Sequence, residues 1–492
     1  MLYSPVARDE TGVGGAVSVT NAAVTSQSSG IVSKGPGRDS ALIFGARCVR
    51  MYSFGGLSVS LFLYHAAIGL SAREVSLLFG AILIGDLAMS LPLTTRADSC
   101  GRKRTLILGA LLKMLAGVTF ASSNNLVVLA FAGTFGVISP AGGEIGPFGA
   151  VEQASLAALQ QNHDAATFSA VFARYNLAGY MFQAFGAAVT GLLITWLSGS
   201  EPTDATKLDA YRAVLWQYAA LSMMMVFMYG ALTERIEAPG FVSQARLAAA
   251  PSEDDEEALQ RLQEKSVQAA GTLDGAASRL DLSEPTPPGK VMSALLRVSG
   301  LKHVESLRRI LQMTCLFALD AFAGGLVMQS IIVLWFHRRY GLDSAALGGV
   351  IAGANILAGI SALTVGWFVA KFGAINTMVF THLPSNILLG FIPFMPTLPA
   401  AVGVLLARFL ISRMDVPARQ AFVLASVQAD ERSAALGITN VARSFGVALS
   451  PFVWGPMLEA PPHSWLFAGP FLLAGALKTS YDIVLCIVFR RG

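Results

Sequence analysis

The sequence predicts an all-α polytopic membrane protein: twelve transmembrane helices in two pseudo-symmetric six-helix bundles. Three observations predict it. Twelve apolar stretches punctuate the chain, each near the roughly 20 residues that a helix needs to cross a bilayer. About seventy polar and charged residues part them into two sets of six. Of 492 residues, 54% are hydrophobic and only 13% are charged, against about 25% charged in soluble domains. That deficit excludes an ordinary globular enzyme of this length. Lipid offers backbone groups no hydrogen-bond partners, so the spans must be helices.

In chain order, residues 1–40 read as a disordered tail, rich in small polar residues and without period. No cleavable signal precedes the first span, which is expected to direct insertion itself. The first bundle, 41–235, carries spans near 44–68, 75–95, 105–121, 126–148, 168–197 and 213–232. Residues 236–307 read as a solvated linker with the acidic run Glu253–Glu257 and a surface helix from about Val291. The second bundle, 308–492, carries spans near 311–334, 345–369, 375–395, 399–426, 434–457 and 465–489. Polar breaks such as Ser71–Glu74, Ser122–Asn125 and Pro461–Ser464 separate neighbours. Cys48, Cys100, Cys315 and Cys486 stand far apart and form neither a disulfide frame nor a metal site.

Lysine and arginine in short loops set the orientation. Arg47, Arg50, Arg96, Arg102, Lys103, Arg104, Arg235, Lys371, Arg432, Arg490 and Arg491 fall on one side with the linker. Arg73, Lys207, Arg212, Arg338 and Arg339 fall on the other. The bias places both termini and the linker in the cytoplasm, with the plasma membrane favoured over an internal one.

The halves repeat at an offset of about 270 residues: Thr94–Gly101 with Gly366–Gly373, Glu152-Gln153-Ala154 with Arg419-Gln420-Ala421, and Ala173-Arg174 with Ala442-Arg443. The segment after span two keeps Asp98, Gly101, Arg102, Lys103 and Arg104, and its second copy keeps Gly366, Lys371 and Gly373 with Ala370 in place of the acid. This pattern resembles the signature of the major facilitator superfamily of secondary transporters over residues 41–490. Thr94 stands for the signature's first glycine and Ser99 for a basic residue. Met414–Gln420 and Glu144–Phe148 are similar to an efflux-permease-like branch. The resemblance implies a cavity between the halves lined by spans 1, 4, 7 and 10, alternating access, and a latching role for Asp98, Gly101, Arg102, Lys103 and Arg104.

A mid-membrane charge costs about 2.5–3.5 kcal/mol on insertion scales, so each one needs a reason. Asp86 in span two reads either as a protonatable group or as helix glue. Glu144 follows Pro140–Gly143, where distortion opens backbone to a cavity. Glu152 reads as solvated, nearer the loop. Span ten holds Arg408, Arg413, Asp415 and Arg419. Spans four and ten match in position, so an acid–arginine bridge across the interface reads as a gate. The rivals are an anionic substrate on Arg413 and pairing of each arginine within its own half. Asp320 in span seven, ahead of Gly324-Gly325 and Gln329, is a further cavity candidate. Asn355 and Asn386 read as helix glue, Arg174 and Arg443 as snorkelling residues near helix ends, and His337 and His382 as bonded helix residues without metal-ligand company.

No phosphate loop, paired CxxC or nucleophile elbow occurs, so ATP-driven transport and covalent catalysis lack their parts. The expected partners are the lipid bilayer, a small-molecule substrate and a coupling proton, with no nucleic acid, no cofactor and no metal, on a monomer. The reading is a secondary transporter of a small solute, proton-coupled and leaning to export. Its rival is a non-transporting sensor or scaffold on the same fold.

Overall fold

The computed structural model describes residues 36–140, 148–159, 165–238, 304–427 and 431–489. Among them the regular structure is helical: α1 (Pro36–Ala67), α2 (Ala72–Thr95), α3 (Ala97–Cys100), α4 (Arg102–Ser122), α5 (Leu126–Phe135), α6 (Phe148–Leu159), α7 (Ala165–Ser198) and α8 (Asp204–Gly230) form a first set. The second set is α9 (Val304–Leu326), α10 (Gln329–Tyr340), α11 (Ser344–Phe372), α12 (Ala374–Phe391), α13 (Leu398–Ser412), α14 (Asp415–Ala425), α15 (Arg432–Leu449), α16 (Pro451–Leu458) and α17 (Trp465–Phe489). Eight stretches are long and apolar enough to cross a membrane, counting Leu307–Tyr340 as one. Helix α1, the shorter apolar helices α5 and α13, and the α15–α16 pair stand where the other four of twelve spans are expected.

Helix ends follow from the sequence. Ser71 and Glu74 form a capping box on α2, each side chain bonding the other's backbone amide at 3.2 and 2.9 Å. Asn125 caps α5 through the Val127 amide, and Asp343 caps α11 through the Ala346 amide, both at 2.9 Å. Gly341, in the left-handed region at φ 70°, ends α10. The exposed surface is apolar, as lipid contact requires. Trp196 and Trp465 stand out at one end and Trp367 at the other, the placement of interfacial anchors.

Two boundaries differ from the sequence reading. Helix α1 begins at Pro36, so residues 36–40 are helical, and Asp39 there is buried and accepts from the Thr233 amide at 3.1 Å. Spans four, seven and ten are broken rather than continuous. Helix α5 stops at Phe135, and Val137 takes φ 52°, a strained value for a β-branched residue. Its carbonyl is held by the Tyr218 hydroxyl at 3.1 Å. Span seven breaks at Val327–Met328 and span ten at Arg413–Met414. The expected helix near Val291 lies outside the described residues.

The two sets meet through small residues. A Cβ on Gly191 of α7 would lie 2.3 Å from the Ser344 carbonyl oxygen, and one on Gly348 of α11 2.5 Å from that of Ala187. Neither fits, so glycine permits the close crossing. The Ala345 amide donates to Thr195 Oγ1 at 3.1 Å in the same place. Gly455 of α16 packs on Ser76 of α2. These contacts join the sets at the end remote from the Asp98–Arg104 loop.

Candidate substrate and gating site

Each set contains a buried charge cluster. In the first, Arg50 of α1 forks onto Glu152 of α6: Nη1 donates to Oε1 at 2.8 Å and Nη2 to Oε2 at 2.7 Å, both side chains fully buried. The Tyr229 hydroxyl donates to Oε1 at 2.6 Å and that of Tyr175 to Oε2 at 2.5 Å. The Phe148 ring lies 4.9 Å from the Arg50 guanidinium. Four donors on one carboxylate supply what removal from water takes away. This corrects two readings. Glu152 is not solvated, because the break in span four starts a new helix that carries it against α1. Arg50 is not a loop charge: it lies mid-helix on α1, buried against Glu152.

The second cluster centres on Asp320 of α9. Lys478 Nζ on α17 reaches Oδ1 at 2.5 Å, and Arg443 Nη1 on α15 reaches Oδ2 at 3.1 Å. Arg419 of α14 and His382 Nε2 of α12 lie at 3.9 Å. On its other side, His382 Nδ1 is 3.0 Å from Asp482 Oδ1, and Asn386 donates to Asp482 Oδ2 at 2.8 Å. Close helix crossing makes this geometry: a Cβ on Gly446 would lie 2.3 Å from the Ala318 carbonyl oxygen, so α15 sits tight on α9 and Arg443 reaches Asp320. Arg443 therefore does not snorkel, since an acid within reach outweighs a path to the interface.

Beside this cluster lies a cavity of about 240 Å³, lined by Asp320, Met328, Gln329, His382, Arg408, Ser412, Arg413, Arg443 and Lys478 among others. Breaks at Val327–Met328 and Arg413–Met414 expose backbone on two of its sides. Gln329 also joins the sets, accepting from Gln183 Nε2 at 3.1 Å and donating to Asn355 at 2.7 Å. Ser330, next along, bonds the Pro140 carbonyl.

Of the residues expected at the site, Asp320 and Arg413 line this cavity and Arg419 joins the Asp320 cluster. Asp86 is half-buried on α2 and accepts from Ser90 Oγ at 3.1 Å. Asp415 opens α14. Glu144 lies outside the described residues. The expected bridge between spans four and ten does not form from Glu152 and Arg419: each pairs within its own set.

The loop motif also turns on its own set. Gly101, at φ 99°, lets the chain pass from α3 into α4, as Gly373, at φ 78°, does between α11 and α12. Arg102 holds Asp98 at 2.7 Å and the carbonyls of Ala154 and Ile236 at 3.2 and 3.0 Å. The Arg102 and Lys103 amides donate to Glu237 at 2.6 and 3.1 Å, and Lys103 Nζ bonds the Leu232 carbonyl at 2.8 Å. Asp98 keeps 65% of its side chain exposed, and Arg104 is exposed.

Sequence reasoning missed Lys113, Lys478 and Asp482. Lys478 and Asp482, four apart in an apolar span, carried the same signal as Asp86. Lys113 is fully buried, donating to Ser222 Oγ at 3.0 Å above the Tyr218 ring at 3.8 Å.

Comparison with known proteins agrees with this architecture. The family model of the Major Facilitator Superfamily matches residues 43–451. The uncharacterized membrane protein YJR124C of Saccharomyces cerevisiae is 25% identical over 454 residues, covering 92% of this chain and 94% of that one. The crystal structure of the nucleoside transporter NupG (D323A mutant) superposes with TM-score 0.62 at 14% identity, over 92% of this chain and 99% of that one. The xylose transporter XylE from E. coli, in its inward-open conformation, gives 0.61 at 13% identity, over 91% and 95%. The likeness to solved structures is one of fold. With a helical body carrying eight membrane-length apolar helices among its described residues, paired loop motifs and a family match over most of its length, this chain is a transporter-type membrane protein rather than an enzyme, and it belongs to the Major Facilitator Superfamily.

Proposed function

We propose that this chain is a secondary active transporter that carries a small solute by alternating access, coupled to protons and directed to export. The observation that carries the reading is the cavity beside Asp320, lined by charged side chains within an otherwise apolar helical body and bordered by two broken helices. Discontinuous helices facing a cavity are how membrane carriers present polar groups to a solute without exposing backbone to lipid.

Proton coupling is supported by His382, which lies between Asp482 at 3.0 Å and Asp320 at 3.9 Å. Adding or removing one proton there redistributes the pull on Lys478 and Arg443, which share Asp320. The lysine and arginine bias puts the Asp98–Arg104 end in the cytoplasm. Packing at the remote end then corresponds to an inward-facing state, and the loop motif, bound to its own set, corresponds to a disengaged latch. The lean to export rests on the resemblance of Glu144–Phe148 and Met414–Gln420 to efflux-permease-like members.

Flux into proteoliposomes across a panel of solutes, with and without a pH gradient, tests the reading. Transport that responds to the gradient supports it. Flux indifferent to the gradient removes proton coupling, and no flux for any solute favours a sensor or scaffold instead.

A further inference from the structure

We propose that the cavity beside Asp320 binds a small anion, a carboxylate- or phosphate-bearing solute gripped by Arg413. This rests on the reading of that cavity as the solute site and names the chemistry of its occupant.

The described lining carries four cations, Arg408, Arg413, Arg443 and Lys478, against one carboxylate, Asp320. Among the described lining residues cations therefore outnumber carboxylates, and Arg413 is the cation on which the argument turns. Asp320 is already engaged by Lys478 at 2.5 Å and Arg443 at 3.1 Å, with Arg419 adding a further cation at 3.9 Å. None of its contacts is with Arg413. Asp482, the other nearby acid, is taken by His382 and Asn386. Arg413 sits at the break between α13 and α14, and among the described residues it has no hydrogen-bond or ion-pair partner. A guanidinium inside a membrane protein without a counter-ion is costly, and a bound anion offsets that cost.

A second, independent feature points the same way. Helix α10 starts at Gln329, and Met328 before it offers no side-chain cap. Both residues line the cavity. The N-terminal, positive dipole end of a twelve-residue helix therefore borders the same space as the four cations. A helix N-terminus beside an arginine is an anion-binding arrangement, and the planar fork of Arg413 matches the two oxygens of a carboxylate or phosphate. Gln329 and Ser412 add uncharged hydrogen-bonding groups to the lining. The volume, about 240 Å³, accommodates a small solute.

The test uses the full chain with two anionic probes, succinate and inorganic phosphate, and two neutral ones, uridine and xylose. Melting temperature in detergent at matched ionic strength reads binding, and counterflow in proteoliposomes reads transport. At least one anion is expected to stabilise the protein and to exchange, while the neutral probes do neither. R413Q is expected to melt at or above the temperature of the unsubstituted protein in ligand-free buffer and to weaken the anion's effect tenfold or more, with R413K less affected. Stabilisation by an anion without exchange upholds the anion site and removes the transport reading. Exchange of a neutral probe with no anion effect overturns the anion site and keeps transport. Failure of both anions in both assays, or an anion response that R413Q leaves unchanged, overturns the inference.

Discussion

Arg50 on α1 and Asp320 on α9 stand 270 residues apart and anchor buried ion pairs of opposite sense. Arg50 grips Glu152 on the helix after the break in span four; Asp320 draws Arg419 on the helix after the break in span ten. The same two places carry the same pair with its signs exchanged. The first pair is closed at 2.7 Å by tyrosines and a phenyl ring. The second is loose at 3.9 Å, its acid shared among several cations beside a cavity.

Breaking the closed pair is therefore expected to damage the fold. Glu152→Gln leaves the Arg50 charge buried and poorly matched, at a cost of about 3–5 kcal/mol. Thermal melting of the purified protein reads it. The reversal Arg50→Glu with Glu152→Arg is expected to recover part of the loss, and no drop in Glu152→Gln refutes the structural role.

Removing His382 tests the other cluster. Histidine is the side chain whose ordinary titration falls between pH 5 and 8. His382→Gln keeps a hydrogen-bonding group toward Asp482 but cannot gain a proton in that range. The dependence of exchange on pH is expected to flatten while the protein still folds. An unaltered profile assigns coupling elsewhere.

The remote end offers a conformational test. Cysteines replacing Thr195 and Ala345, where an amide now meets a hydroxyl at 3.1 Å, are expected to cross-link readily under oxidation. Adding Gly348→Leu places a side chain where even a Cβ would be 2.5 Å from the Ala187 carbonyl oxygen, and the cross-link yield should fall several-fold. An unchanged yield would mean that this crossing does not hold the end closed.

Glu237 receives both the Arg102 and Lys103 amides at the start of α4, the work of a helix N-cap done from a distance. Glu237→Gln is expected to cost about 0.5–2 kcal/mol, the range for loss of an N-cap, and to loosen the loop motif. Faster proteolysis of the loop around Arg96–Arg104 in the variant would register it; identical cleavage rates count against it.

The sequence by itself determined the membrane class, the all-helical fold and the family. Those depend on span length, loop charge and turn glycines such as Gly101 and Gly373, all local properties of the chain. It also marked Asp320, Arg413 and Arg419 as costly charges that need a reason. Tertiary structure alone decided their partners. A charge chooses its counter-ion by which helix lies within a few ångströms, and that depends on crossings such as Gly446 on Ala318, which no periodicity records. Glu152 was misread for this reason: its position near a span end looked solvated, whereas the broken span carried it into contact with Arg50. Pairing matching spans by sequence suggested a bridge across the halves. Of the residues proposed for it, Glu152 and Arg419 each pair within their own half, and Glu144 lies outside the described residues.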